Sequence, residues 1–314
     1  MKKTIVFAIA AAFTYNTAFN FDCCRPNFYN KPVLAEEYFS VGQNFYQSKK
    51  INEILKKIPS TNSTKEKAQI IYDVFAVKNK GLKIDESQNG KRAPRLIDET
   101  LKNGGDCSEF AFVIAAAIKQ LHLSGGALLV KMKNASEDVQ HIVVYVKDGN
   151  NRIIIDPQAD DLNKVLDGSV YTVIADLSFE QLPYMFYREY GDYYRNSKNL
   201  DKAIEYYKRA VAIYEKDPYV LCNLANFYHK KDDLVSAYQY AEKALALSLG
   251  DKKKKEMLRI KVEYLVSSGV DECANGNTIK GRNLLNEAKN IGEVNGVIDK
   301  NDMSIIEENL KICK

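Results

Sequence analysis

Tryptophan is absent from the 314-residue chain, histidine occurs three times and cysteine six, with no Cys-x-x-Cys pair. Structural zinc sites need clustered Cys and His ligands, so this composition argues against one, and no metal or other cofactor is expected. A surplus of one charge is also lacking, since 45 Lys and Arg face 41 Asp and Glu for a formal charge of +4. The lysines are scattered, which argues against a nucleic-acid partner. The one basic block, Lys252 to Lys255, reads as a solvated face or linker. No apolar run reaches the roughly 20 residues that span a bilayer.

The start, MKKTIVFAIAAAF, has two lysines and then a short apolar run, the pattern of a secretory signal over residues 1–20. TYNTAFNFD is a poor cleavage site, so an uncleaved N-terminal membrane anchor is the alternative. Either way the chain is expected to be exported: periplasmic, secreted or anchored. Lipoprotein processing at Cys23 is disfavoured because Asn20, Phe21 and Asp22 precede it. In an exported chain, disulfides are expected among the cysteines other than Cys107.

The length favours two folded units. Residues 33–58 read as helical, and Ser63 or Thr64 caps a helix carrying Ile70, Ile71, Val74 and Phe75 at helical spacing. KGLKID (80–85) reads as a short strand, ESQNGKRAP as a loop, and RLIDETLKNG as a helix closed by Gly104 and Gly105. ALLVKMK (127–133), HIVVYVK (141–147) and RIIID (152–156) read as strands, the last two joined by a hairpin at DGNN. HIVVYV is apolar on both faces, so the sheet is covered on both sides. Helices followed by an antiparallel sheet make an α+β domain.

Between these helices and strands lies KNGGDCSEFAFVIAAAIKQL (102–121), in which Cys107 stands at the mouth of a long apolar helix. There the unpaired backbone N–H groups of the first turn favour a thiolate, and the N–H of Cys107 is placed to bind an oxyanion. A thiol nucleophile needs a base, and the base an orienting acceptor. A two-residue turn at Gly149-Asn150 pairs Asp148 with Asn151, so paired positions sum to 299. Asp156 then faces Val143, with His141 one pair further along on the same face. Cys107, His141 and Asp156 are therefore the candidate catalytic residues.

These segments carry a family resemblance. GDCSEFAFVIAAAIKQL, QHIVVYV and IIIDPQ, in that order, resemble the transglutaminase-like core of the papain-type cysteine enzymes: Cys at a helix start, His on a following strand, Asp, often Asp-Pro, on the next. Cys107, His141 and Asp156 with Pro157 fall on that pattern, and the helices upstream of Cys107 resemble those of the family. The resemblance covers roughly residues 60–160. His141 is flanked by Gln140 and Ile142 where the family commonly has an aromatic residue, so no substrate-pocket residue is carried over. The resemblance implies acyl chemistry on an amide or peptide bond of a protein or peptide substrate through a thioester. Hydrolysis, as in a cysteine protease or amidase, is favoured over crosslinking.

Beyond residue 183 the chain repeats itself. Gly191, Tyr194, Ala203 and Ala210 recur 34 residues later as Ala225, Tyr228, Ala237 and Ala244. This resembles the tetratricopeptide repeat, with repeats at 184–217 and 218–251, a degenerate third around Gly269 and Ala288, and a capping helix in SIIEENLKI. Such arrays bind proteins. Tyr187, Tyr190, Tyr194, Tyr206 and Tyr207 read as core ahead of groove. The expected order is a signal or anchor (1–20), a helical segment (21–59), a transglutaminase-like α+β catalytic domain (60–182), all-α repeats (183–292) and a cap (293–314). The competing reading is a non-catalytic protein-binding scaffold built from the same two parts.

Overall fold

The computed structural model describes residues 46–56, 63–85, 92–132, 140–159, 162 and 171–313. The N-terminal targeting segment, Cys23, Cys24 and most of the helix expected over 33–58 lie outside the described residues. Over those residues the chain forms two compact units, 46–214 and 215–313.

In the first unit, helices α1 (Lys49–Leu55), α2 (Thr64–Phe75), α3 (Ile97–Asn103) and α4 (Cys107–Gln120) precede four strands. The hydroxyl of Ser63 accepts the N–H of Glu66 and starts α2. Helix α4 is buried on every side from Ser108 to Ile118, as an all-apolar helix must be. Full burial of Phe110, Val113, Ile114 and Ile118 stabilises by roughly 1.5–3 kcal/mol each. That burial fixes the position of the helix mouth.

Strands β1 (Gly125–Met132), β2 (Gln140–Asp148), β3 (Asn151–Ile155) and β4 (Tyr171–Ser178) form one antiparallel sheet in the order β3-β2-β1-β4. The hairpin has the expected register, Asp148 opposite Asn151 and Val144 opposite Ile155. Gly149 takes φ +61° in its turn, which glycine adopts at no steric cost. Residues 142–146 are buried throughout. Strand β4 has no counterpart in the sequence reading. It is an edge strand with Val173 and Ile174 exposed and only Ala175 and Leu177 buried, so it lacks a continuous apolar run. KGLKID forms a single bridge, Ile84 to Gly105, rather than a strand. Gly104 closes α3 with φ +84°, and a Cβ there would lie 2.4 Å from the Lys83 carbonyl oxygen, so only glycine fits.

Helices α5 (Pro183–Asn196) and α6 (Leu200–Ile213) complete this unit. Their seam is tight at Gly191, where a Cβ would meet the Tyr207 ring at 2.5 Å. The second unit is all helix: α7 (Pro218–Lys230), α8 (Leu234–Leu245), α9 (Asp251–Ala274), α10 (Thr278–Asn295) and α11 (Lys300–Ile312). Asp217, Asp233 and Asp299 cap α7, α8 and α11. Val262, Leu265, Val266, Leu285, Ala288 and Ile306 form its core. A disulfide joins Cys273 to Cys313. Among the described residues, no helix is long and apolar enough to cross a membrane.

Candidate functional site

Cys107 is the first residue of α4 and is half-buried. The turn that carries it is locked from both sides. Asp106 accepts the N–H groups of Ser108 and Glu109, each at 3.1 Å, and the Glu109 carboxylate accepts the N–H of Asp106 at 3.1 Å. This capping box satisfies the N–H groups of Asp106, Ser108 and Glu109. Glu109, itself buried, is gripped by both terminal nitrogens of Arg92 at 2.6 Å and by the N–H of Arg95 at 2.5 Å. Arg92 and Arg95 both pair with Asp85, at 3.3 and 2.5 Å. Burial raises the pKa of Glu109 and the Arg92 hydrogen bonds oppose that rise. A Cβ at Gly105 would lie 2.6 Å from the Glu109 carboxylate, which explains the glycine before the cap.

The hairpin brings the other two candidates together. His141 Nε2 lies 2.7 Å from Asp156 Oδ2, and Asp156 Oδ1 accepts the N–H of Gln158 at 2.9 Å. Asp156 is buried, while the imidazole side chain retains 18% exposure. Burial alone would lower the imidazole pKa, but the hydrogen bonds and charges of Asp156 and Cys107 outweigh it and push it up to about 10. Cys107 is therefore close enough to the ring to contribute to that rise. With Nε2 committed to the carboxylate, Nδ1 is the ring nitrogen available to another group. Sulfur, imidazole and carboxylate are neighbours in this unit. Chemically, this arrangement can hold a proton on the ring beside a sulfur nucleophile.

Several neighbours of these residues carry no sequence signal. Arg92 comes from a stretch that reads only as loop, and Arg95 from the start of the segment read as the RLIDETLKNG helix. From α5, Arg188 donates to the side-chain carbonyl of Gln140, adjacent to His141, at 3.0 Å, and Tyr190 donates to the Pro94 carbonyl at 3.4 Å. Phe186 packs edge-on against Phe112 of α4, centroids 5.9 Å apart. Helix α5 therefore packs against the elements that carry Cys107 and His141, although it reads as the start of the repeats. Of the five tyrosines noted there, Tyr190, Tyr194, Tyr206 and Tyr207 are core, and Tyr187 is half-buried. Tyr206 stacks between Tyr190 and Tyr194 at 5.0 and 5.2 Å. Among the described residues, no group of three or more His, Cys, Asp or Glu is arranged to hold a metal ion.

Two tetratricopeptide repeat family models match the chain, one over residues 185–227 and the other over 218–251. The matched stretches contain the helix pairs α5–α6 and α7–α8. Repeats of this kind mediate protein–protein interaction, so residues 185–251 mark a protein-interaction region. No curated protein matches the chain.

Proposed function

We propose that the protein is a transglutaminase-like cysteine enzyme that acts on amide or peptide bonds of a protein or peptide. The observation that carries this reading is the 2.7 Å imidazole–carboxylate contact of His141 and Asp156, with Cys107 at the mouth of α4 near enough to raise the imidazole pKa. The Cys107 sulfur attacks the carbonyl carbon, and the carbonyl oxygen takes up the charge beside the Cys107 N–H at the mouth of α4. The imidazolium of His141 delivers its proton to the departing amine as the C–N bond breaks, which leaves a thioester. A water molecule then gives a proton to His141 and attacks the thioester, releasing a carboxylic acid and restoring the thiol. Asp156 fixes the ring and stabilises its charged form.

Hydrolysis is the assigned outcome; transfer to a lysine amine is the competing fate of the same thioester. Residues 60–182 supply the chemistry on this reading, with α5 packed against the elements that carry it, and the repeats recruit the substrate or a partner. The Cys273–Cys313 disulfide supports an oxidising compartment, in keeping with export by the N-terminal segment. The repeats also favour a second reading, a protein-binding scaffold that does no chemistry. An electrophilic peptide-amide probe separates the two. On our reading it acylates Cys107, and Cys107→Ala abolishes both the adduct and any amide turnover while leaving the thermal midpoint unchanged. Labelling that survives Cys107→Ala, or none at all in the parent protein, rejects the enzyme.

A further inference from the structure

The carboxylate that holds the imidazole is itself held from behind. The β2–β3 ladder ends at the pair Val144 and Ile155, so the position of Asp156 depends on the turn that follows. That turn closes on Asp156: its carbonyl accepts the N–H of Ala159 at 3.1 Å, and its Oδ1 accepts the N–H of Gln158 at 2.9 Å. The end of α2 then grips the turn at two further points. The Tyr72 hydroxyl donates to the Ala159 carbonyl at 2.8 Å, across 87 residues of sequence, and the Val77 N–H donates to the Pro157 carbonyl at 2.8 Å. Ala76 makes the second contact possible. It leaves helical backbone at ψ 134°, which turns the N–H of Val77 away from the helix and towards Pro157.

Tyr72 belongs to the buried face of α2 with Ala68, Ile71 and Phe75, and its side chain is 1% exposed. A phenylalanine would fill such an apolar position with no polar atom to satisfy. The hydroxyl is explained by what it holds. Resting on the reading of Cys107, His141 and Asp156 as a thiol enzyme, we infer that Tyr72 is a positioning residue: its hydroxyl, together with the Val77 N–H, clamps the turn 156–159 and so keeps the Asp156 carboxylate on the His141 imidazole. The contact so maintained is the 2.7 Å one between Nε2 and Oδ2. Burial lowers the imidazole pKa, and the hydrogen bonds and charges of Asp156 and Cys107 raise it. A carboxylate that wanders from the ring gives up part of that rise, so burial counts for more and the ring releases its proton at lower pH. Helix α2 therefore reaches the chemistry only through Asp156.

The test uses the full-length protein, with Tyr72→Phe and Val77→Pro as separate variants. The first deletes the hydroxyl and keeps the ring. The second deletes the other donor at the first residue of the short helical turn Val77–Asn79, a position that tolerates proline, after an Ala76 whose extended backbone suits the residue before proline. The chain has three histidines, so their imidazole signals can be followed by NMR against pH, with His229 of the second unit as internal reference. In each variant the His141 titration midpoint falls by roughly 0.5 of a pH unit while that of His229 stays in place. Alkylation of Cys107 by iodoacetamide at mildly acidic pH slows roughly 2- to 5-fold alongside it. On an Asp156→Ala background Tyr72→Phe moves His141 no further, because the clamp acts through that carboxylate. A merely structural hydroxyl would lower the thermal midpoint and leave the His141 titration where it is. An unmoved His141 midpoint in either variant, or a fall of equal size on the Asp156→Ala background, overturns the inference. A parent Cys107 that reacts no faster than Cys222 defeats the thiol-enzyme reading instead, and the His141 midpoint still decides whether Tyr72 holds Asp156.

Discussion

At the scale of single residues, the account rests on a proton held between Cys107 and Asp156. His141 is pushed up to about 10 from an ordinary 6.5, so folding binds a proton there. The stabilisation is complete below pH 6.5 and is lost as pH rises towards 10. Urea unfolding of the parent and of His141→Ala across this window should show the difference between them shrinking as pH rises. His229, raised by its hydrogen bond to Glu263, titrates in the same sense but is common to both proteins and cancels. A constant difference would place the proton elsewhere. His141 and Asp156 were legible in the sequence because a two-residue turn fixes the register of a hairpin, and register fixes which side chains meet. Arg92 and Arg95 were not. Their roles depend on long side chains crossing between elements that are distant in sequence, and no local period encodes that.

At the scale of elements, the helices and the central strands follow from periodicity, caps and turn residues. The exceptions run in opposite senses. Strand β4 escapes the sequence reading because its edge position leaves most of its residues exposed, so the apolar pattern that identifies a strand is broken. KGLKID reads as a strand but meets its neighbour at one pair of residues only. The repeat was legible because each helix pair buries the same seam. Gly191, Ala203, Ala210, Ala225, Ala237 and Ala244 are all buried. The seam between α5 and α6 predicts a cost. A methyl group at Gly191 would meet the Tyr207 ring at 2.5 Å, and overpacking of this kind destabilises by about 1–3 kcal/mol. Gly191→Ala should lower the urea midpoint accordingly, and because α5 also carries Arg188, which holds Gln140 beside His141, it should slow Cys107 alkylation too. An unchanged midpoint would mean that the seam is looser than the geometry indicates.

At the scale of the whole molecule, the sequence indicated two folded units and helical repeats at the C-terminal end. It did not indicate that α5 would pack against α4 and reach β2, because a helix that packs on both a repeat partner and an α+β core satisfies both patterns at once. Nor could spacing alone select the Cys273–Cys313 pair. That bond closes a separation of 40 residues, which by chain entropy is worth about 4 kcal/mol. Dithiothreitol should therefore lower the thermal midpoint of the parent and leave that of Cys273→Ser/Cys313→Ser unmoved; equal shifts in both would assign the effect to another bond. The central claim, that Cys107, His141 and Asp156 act as one unit, is tested most directly by alkylation at mildly acidic pH, read by mass spectrometry of Cys107 and Cys222. Burial pushes the Cys222 thiol up to about 11, which makes it an internal reference for an inert sulfur. The account predicts that Cys107 is modified at least about tenfold faster than Cys222 and that His141→Ala removes the advantage. Equal rates at the two cysteines, or a Cys107 rate indifferent to His141→Ala, would contradict it.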